Sequence, residues 1–196
     1  MTPGSAGGAS SSRRPASAAE AVAEVVRLAA QRRRQTLFVG VDGFGGSGKS
    51  SLANAMAEAV PGACVVHVDD FAGPLVPEWD WQRLREQVLD PLLAGRPGHY
   101  QRWEWNRDEG LEWHDVPAGR LVVIEGVSST RAEVGAPWAL TVWVDTPREE
   151  RLRRAVERDG EAMLRHWLDV WMPQEEAYAA REHPQQRVDL IVPGTG

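Results

Sequence analysis

The strongest constraint on this chain is a glycine-rich run that contains its one lysine: Gly43-Phe44-Gly45-Gly46-Ser47-Gly48-Lys49-Ser50. The strand-like stretch Thr36 to Val41 precedes it, and the helix-forming segment Ser51 to Ala59 follows it. Strand, glycine turn and helix N-terminus in that order gather backbone N–H groups around one point, where an anion can sit. Of the 22 lysine and arginine residues, 21 are arginine, so lysine is kept for this loop alone. A compact three-donor ammonium suits a phosphate in a tight turn better than a planar guanidinium fork. The run fits G-x-x-x-x-G-K-[ST], the P-loop pattern.

Gly43, Gly45 and Gly48 also satisfy G-x-G-x-x-G, and Asp69 and Asp70 lie about 20 residues further on, where a dinucleotide fold places its ribose-binding acid. Three features favour the P-loop. Lys49-Ser50 stand where a dinucleotide fold packs helix on strand, Glu125 ends a later apolar strand, and an arginine comb follows the strand after that.

Further strand-like runs are Ala63 to Val68, Arg120 to Glu125, Leu140 to Asp145 and Val188 to Val192. Helical patterns cover Ala18 to Arg34, Trp79 to Leu93, an arginine-rich segment after Pro147, and Glu161 to Ala180, the last interrupted at Pro173. Tyr100 to Asn106 and Leu111 to Val116 read as a β-hairpin around residues 107–110. Apolar strands alternating with helices predict an α/β, three-layer P-loop fold with a five-stranded parallel sheet. Residues 1–17, rich in Gly, Ser, Ala and Pro, are expected to form a disordered tail, 18–35 a helix, and 36–196 the P-loop domain with a lid near 148–160.

A net charge of −6 argues against a broad nucleic-acid footprint, and one cysteine excludes an internal disulfide framework. No apolar run approaches the ~20 residues of a membrane span, so a cytoplasmic location and no membrane partner are expected. Nine tryptophans against two tyrosines is unusual; most should pack in the core, but those between 79 and 113 could line a pocket.

Ligands of such sheets bind beyond the carboxyl ends of the strands, where the candidate residues fall. The backbone of Gly45 to Ser50 would ring the β-phosphate, Lys49 bridge the β- and γ-phosphates, and Ser50 hold Mg²⁺. Gly43 and Ser51 complete the nucleotide-binding set with Gly45, Gly46, Ser47, Gly48 and Arg154. Glu125 is expensive at the end of an apolar strand unless it meets a metal, water or a cation, or caps a helix. Of the adjacent pair, Asp69 is the candidate that takes a proton from an acceptor hydroxyl, and capping is the alternative for both. Arg148, Arg151, Arg154 and Arg158 share a helix face, either a solvated one or a lid over phosphates. Arg154 and Arg158 are the candidates to reach the reacting groups.

These segments, together with Asp69-Asp70-Phe71, Glu125-Gly126-Val127, Arg151 to Asp159 and Asp189-Leu190-Ile191-Val192, resemble the uridine kinase branch of the phosphoribulokinase/uridine kinase-like P-loop kinases. The resemblance covers about residues 36 to 194. It implies an ATP- and Mg²⁺-dependent kinase with Asp69 as base, Glu125 serving the metal, Arg154 and Arg158 on ATP phosphates, and Tyr100 on the acceptor nucleoside. That family carries a histidine shortly after the tyrosine, whereas residues 100–105 contain none. The expected acceptor site comprises Asp69, Phe71, Tyr100, Arg102 and Trp105. The acceptor is a small molecule, most simply a nucleoside. A sugar, a pantothenate-like alcohol or a natural product is the alternative, and an ATP-dependent switch is the reading of another class. A GTPase would need a second lysine for N-K-x-D, which this chain lacks.

Overall fold

Period-two alternation along the apolar strands sends successive side chains to opposite faces, so each strand needs cover on both sides. The computed structural model of the protein describes residues 14–32, 35–72, 79–104 and 109–194. In it β1 (Arg14–Pro15), β2 (Leu37–Gly43), β3 (Cys64–His67), β6 (Leu121–Glu125), β7 (Trp138–Asp145) and β8 (Leu190–Pro193) form one parallel sheet in the order β1-β8-β7-β2-β6-β3. Strands β4 (Gly98–Glu104) and β5 (Glu109–Val116) form a separate antiparallel hairpin. The helices are α1 (Ala18–Gln31), α2 (Lys49–Glu58), α3 (residues 81–93), α4 (Arg148–Asp159) and α5 (residues 164–182).

Val39, Val41, Leu121, Val123 and Val142 join Val25 of α1 and Leu52 and Met56 of α2 in one core cluster. Phe38, Val122 and Ile124 point the other way, against Leu84, Val88 and Leu89 of α3. The result is helix, sheet, helix, with the loop after β2 at the carboxyl edge.

The sheet has six strands where the sequence predicts five. Arg14 and Pro15, placed by the sequence reading in the tail, pair in parallel with Leu190 and Ile191. Two residues are too short for a periodic signal, and a proline is tolerated in a sheet at an edge. Residues 1–13 lie outside the described residues. Ser17 then caps α1: its Oγ accepts from the Glu20 amide at 3.2 Å, and the Glu20 carboxylate accepts from the Ser17 amide at 2.7 Å.

Pro173 does not interrupt α5. The helix runs from Leu164 to Glu182 through a π turn, Trp167–Trp171, placed just before the proline. In α3 a π turn at Arg85–Leu89 likewise precedes Pro91. A proline has no N–H for the carbonyl four residues back and its ring crowds that oxygen; a wider turn relieves both problems. The predicted hairpin is present, although residues 105–108 at its turn, Trp105 among them, lie outside the described residues.

Ser17→Ala removes the capping box and should lower stability by about 1 kcal/mol. The measurement is the urea midpoint at constant slope; an unshifted midpoint would mean that α1 is held by packing alone.

Candidate active site

The loop between β2 and α2 is held by one buried acid. Asp42 is fully buried; its Oδ1 accepts from the amides of Gly43 (2.8 Å) and Ser128 (2.9 Å). Its Oδ2 accepts from the Thr130 amide (3.1 Å), the Thr130 hydroxyl (2.6 Å) and the Tyr178 hydroxyl (2.7 Å). Burial pushes this carboxyl up, and the surrounding donors pull against that shift. With five donors directed at it, the ionised form is the one the site is built for.

Past Asp42 the chain must turn tightly. Gly48 caps α2 in the left-handed region (φ 94), and a Cβ there would sit 3.6 Å from an Arg154 guanidinium nitrogen. The amides of Lys49, Ser50 and Ser51 open α2 and have no intrahelical acceptor. Lys49 is 9% exposed, and its charge acts on both Glu125 and Glu175. Ser47 is fully buried, and the Gly43 and Gly46 backbones pass close to Val144 and Arg151.

Glu125, at the end of β6, is 4% exposed and lies against Ser50, whose hydroxyl is 3.2 Å from both carboxylate oxygens. His67 at the end of β3 bonds the same carboxylate through Nδ1. Burial works to raise the Glu125 carboxyl, but the His67 bond, the Lys49 charge and the Ser50 hydroxyl outweigh it and hold it low. The bond to Glu125 correspondingly raises the His67 imidazole. A hydroxyl and a carboxylate are hard oxygen donors of the kind Mg²⁺ takes alongside phosphate and water, so this pair fits that ion.

Across the loop, Asp69 is exposed, and its charge acts on Arg158 and Glu175. Asp70 turns inward and accepts from the Tyr100 hydroxyl at 2.9 Å. Phe71 is fully buried, with Tyr100 at 4.8 Å and the Arg83 guanidinium at 4.9 Å from its ring. Of the expected acceptor residues, Phe71 therefore stands behind Tyr100 as packing.

Arg102 is part-exposed and pairs with Glu112 (2.8 Å) on the facing strand. A histidine does stand beside Tyr100 in the folded chain. His114 of β5 lies opposite Tyr100 in register and stacks on it, with centroids 5.2 Å apart. Antiparallel pairing put it there; the signal was available only by pairing the two hairpin strands residue by residue.

Of the five arginines of α4, the four singled out in the sequence separate in space. Arg148 pairs with Glu176 on the surface. Arg151 is buried beside Glu175 and over the Phe44 ring, away from solvent. Arg154 bonds Glu150 (2.7 Å) and the Gly194 carbonyl (2.8 Å), close to Gly48. Arg158 is exposed and paired with Asp159. Sequence reasoning missed Asp42 as a hub and missed Glu175, whose Oε1 accepts from the Gly45 amide at 3.0 Å.

Asp42→Asn turns an NH₂ group toward donors and should cost about 2–4 kcal/mol. Tyr178→Phe, which removes one donor, should cost about 1 kcal/mol. Denaturant unfolding reads both, and equal losses would mean that Asp42 is not the hub.

No family model matches the chain. Over 38 residues it is 45% identical to human nicotinamide riboside kinase 2 and 42% identical to the mouse protein of that name. That stretch is 19% of this chain, and it spans only 16% and 20% of those relatives. Among solved structures, a candidate uridine kinase from Bacillus stearothermophilus superposes with a TM-score of 0.66 at 19% identity, over 89% of this chain and 98% of that one. A candidate fructose transport system kinase from Silicibacter sp. TM1040 superposes at 0.62 with 21% identity, over 90% and 98%. At such identities the likeness establishes architecture: the chain has the α/β fold of the uridine kinase-like and sugar kinase P-loop proteins.

Proposed function

We propose that the protein is an ATP- and Mg²⁺-dependent kinase that phosphorylates a hydroxyl of a small molecule, most simply the ribose hydroxyl of a nucleoside. The observation that carries this reading is the gathering of two residue groups at the carboxyl edge of the sheet. One holds the α2 amides, Lys49 and the Ser50–Glu125 pair; the other holds exposed Asp69 and the hairpin face of Tyr100, Arg102 and His114. The first suits a polyphosphate, and the second suits a planar, hydroxyl-bearing acceptor.

In the proposed reaction the acceptor oxygen bonds to the γ-phosphorus, the bond from that phosphorus to the β–γ bridging oxygen breaks, and ADP leaves. Asp69 takes the hydroxyl proton. Lys49 and the loop amides hold the phosphates in line, and Arg154 and Arg158 supply positive charge from α4. Mg²⁺ held by Ser50 and Glu125 would neutralise phosphate charge. Tyr100 is 2% exposed and fixed by Asp70 and Phe71, so it braces His114, stacked on it, as the ring on this side that can face an acceptor. Support for a nucleoside comes from the names of similar proteins: one structural neighbour is named for uridine and the matched relatives for nicotinamide riboside, both of them ribosides.

ADP release should depend on the acceptor in a panel of uridine, cytidine, nicotinamide riboside, fructose and pantothenate, with a riboside most active. ADP release that no acceptor changes would favour an ATP-dependent switch instead. Asp69→Asn should lower kcat by about 10²–10⁴ with MgATP affinity intact; a fall in affinity alone would make Asp69 a nucleotide ligand. Lys49→Ala should reduce transfer by about 10²–10³, and undiminished turnover in that variant would refute the loop's assignment.

A further inference from the structure

The Gly45 amide belongs to the set expected to face phosphate, yet a protein carboxylate holds it. Glu175, 130 positions along the chain on α5, places Oε1 3.0 Å from the Gly45 nitrogen. The other oxygen, Oε2, is 3.5 Å from Nη1 of Arg151, and neither of these two buried atoms has a hydrogen-bond partner. Glu175 is 7% exposed and Arg151 4%. The Arg151 guanidinium is fixed by Nε donating to the Thr146 carbonyl at 3.2 Å and by its seat 4.3 Å over the Phe44 ring.

A buried carboxylate and a buried guanidinium left half-joined form an arrangement with a better alternative close at hand. A small rotation of the carboxyl group would give Arg151 a charge-assisted bond and free the Gly45 N–H. Burial raises the Glu175 carboxyl and Asp69 adds to the rise, while the Gly45 amide, Lys49 and Arg151 pull toward the anion. Trp167 packs against the same glycine, so α5 closes this side of the loop and water does not screen the contact.

We propose that Glu175 competes with the phosphate chain of the bound nucleotide for the Gly45 amide, and that the phosphate wins by turning the carboxylate onto Arg151. Glu175 thus sets how tightly the loop takes a polyphosphate. The inference rests on the nucleotide-binding reading above. It assigns α5 a role in setting the loop's affinity for a phosphate chain, which the loop pattern itself does not contain.

Calorimetry of MgATP and of adenosine, on the wild-type chain and on two variants, tests it. Glu175→Gln keeps the shape and an acceptor for Gly45 but removes the charge; MgATP should bind about tenfold tighter, with adenosine unchanged. Glu175→Asp keeps the charge beside Arg151 but is one methylene too short for Gly45, and it should also tighten MgATP. A purely bracing role for Glu175 predicts unchanged or weaker MgATP binding in both variants, and that result would overturn the proposal. Thermal melts identify a variant that fails to fold. On the wild type alone, the Gly45 amide resonance should shift with MgATP and stay in place with adenosine, and a resonance unmoved by MgATP would also refute the competition. If MgATP binds to neither the wild type nor the variants, the nucleotide reading fails first and takes this inference with it.

Discussion

The site depends on the burial of a carboxylate at the point where β2 stops being a strand. Removing Asp42 from water costs several kcal/mol unless its oxygens are fully bonded. Five donors meet that demand, and they come from three separate places: the first loop amide, the segment after β6, and Tyr178 on α5. Because an acceptor left without its donors would be costly, these three elements are bound to a single geometry. The glycine loop is therefore fixed from behind, by buried groups of three separate elements.

Preorganisation runs through the rest of the site in the same way. Ser50 and Glu125 are held together with His67 behind them, so two oxygen donors are already adjacent. Tyr100 is oriented by Asp70, backed by Phe71 and faced by His114. Arg83 ties the Asp70 carbonyl (2.7 Å) to that of Gln101 (3.2 Å), locking the hairpin to the turn that carries Asp69. Groups held this way pay little ordering entropy when a substrate arrives. The arginines of α4 differ in setting: Arg151 is buried beside Glu175 and over Phe44, Arg154 bonds the Gly194 carbonyl, and Arg158 is exposed and paired with Asp159.

Much of the architecture was legible because it is periodic. The five long strands, the helices and the hairpin all carry their own pattern, and each appears in place. The differences have local physical causes. A two-residue edge strand has no period to read, and a proline in α5 is absorbed by a π turn, which a rule that prolines break helices does not anticipate. Phe71 is adjacent to the catalytic candidate in sequence yet faces the core, because neighbouring residues on a turn point in different directions.

The amino-acid order alone determined the strand, the glycine turn and the helix start that carries Lys49. All of these are contiguous, and their backbone angles and exposed amides follow from the residues that form them. The folded chain decided which distant groups attend that loop: Glu125 beside Ser50 across 75 positions, Glu175 on Gly45 across 130, and Tyr178 on Asp42 across 136. Side-chain hydrogen bonds over such separations depend on sheet order and helix placement, to which no local pattern is sensitive. The glycine-rich turn is thus written in one short segment, while the charges that surround it are set by topology.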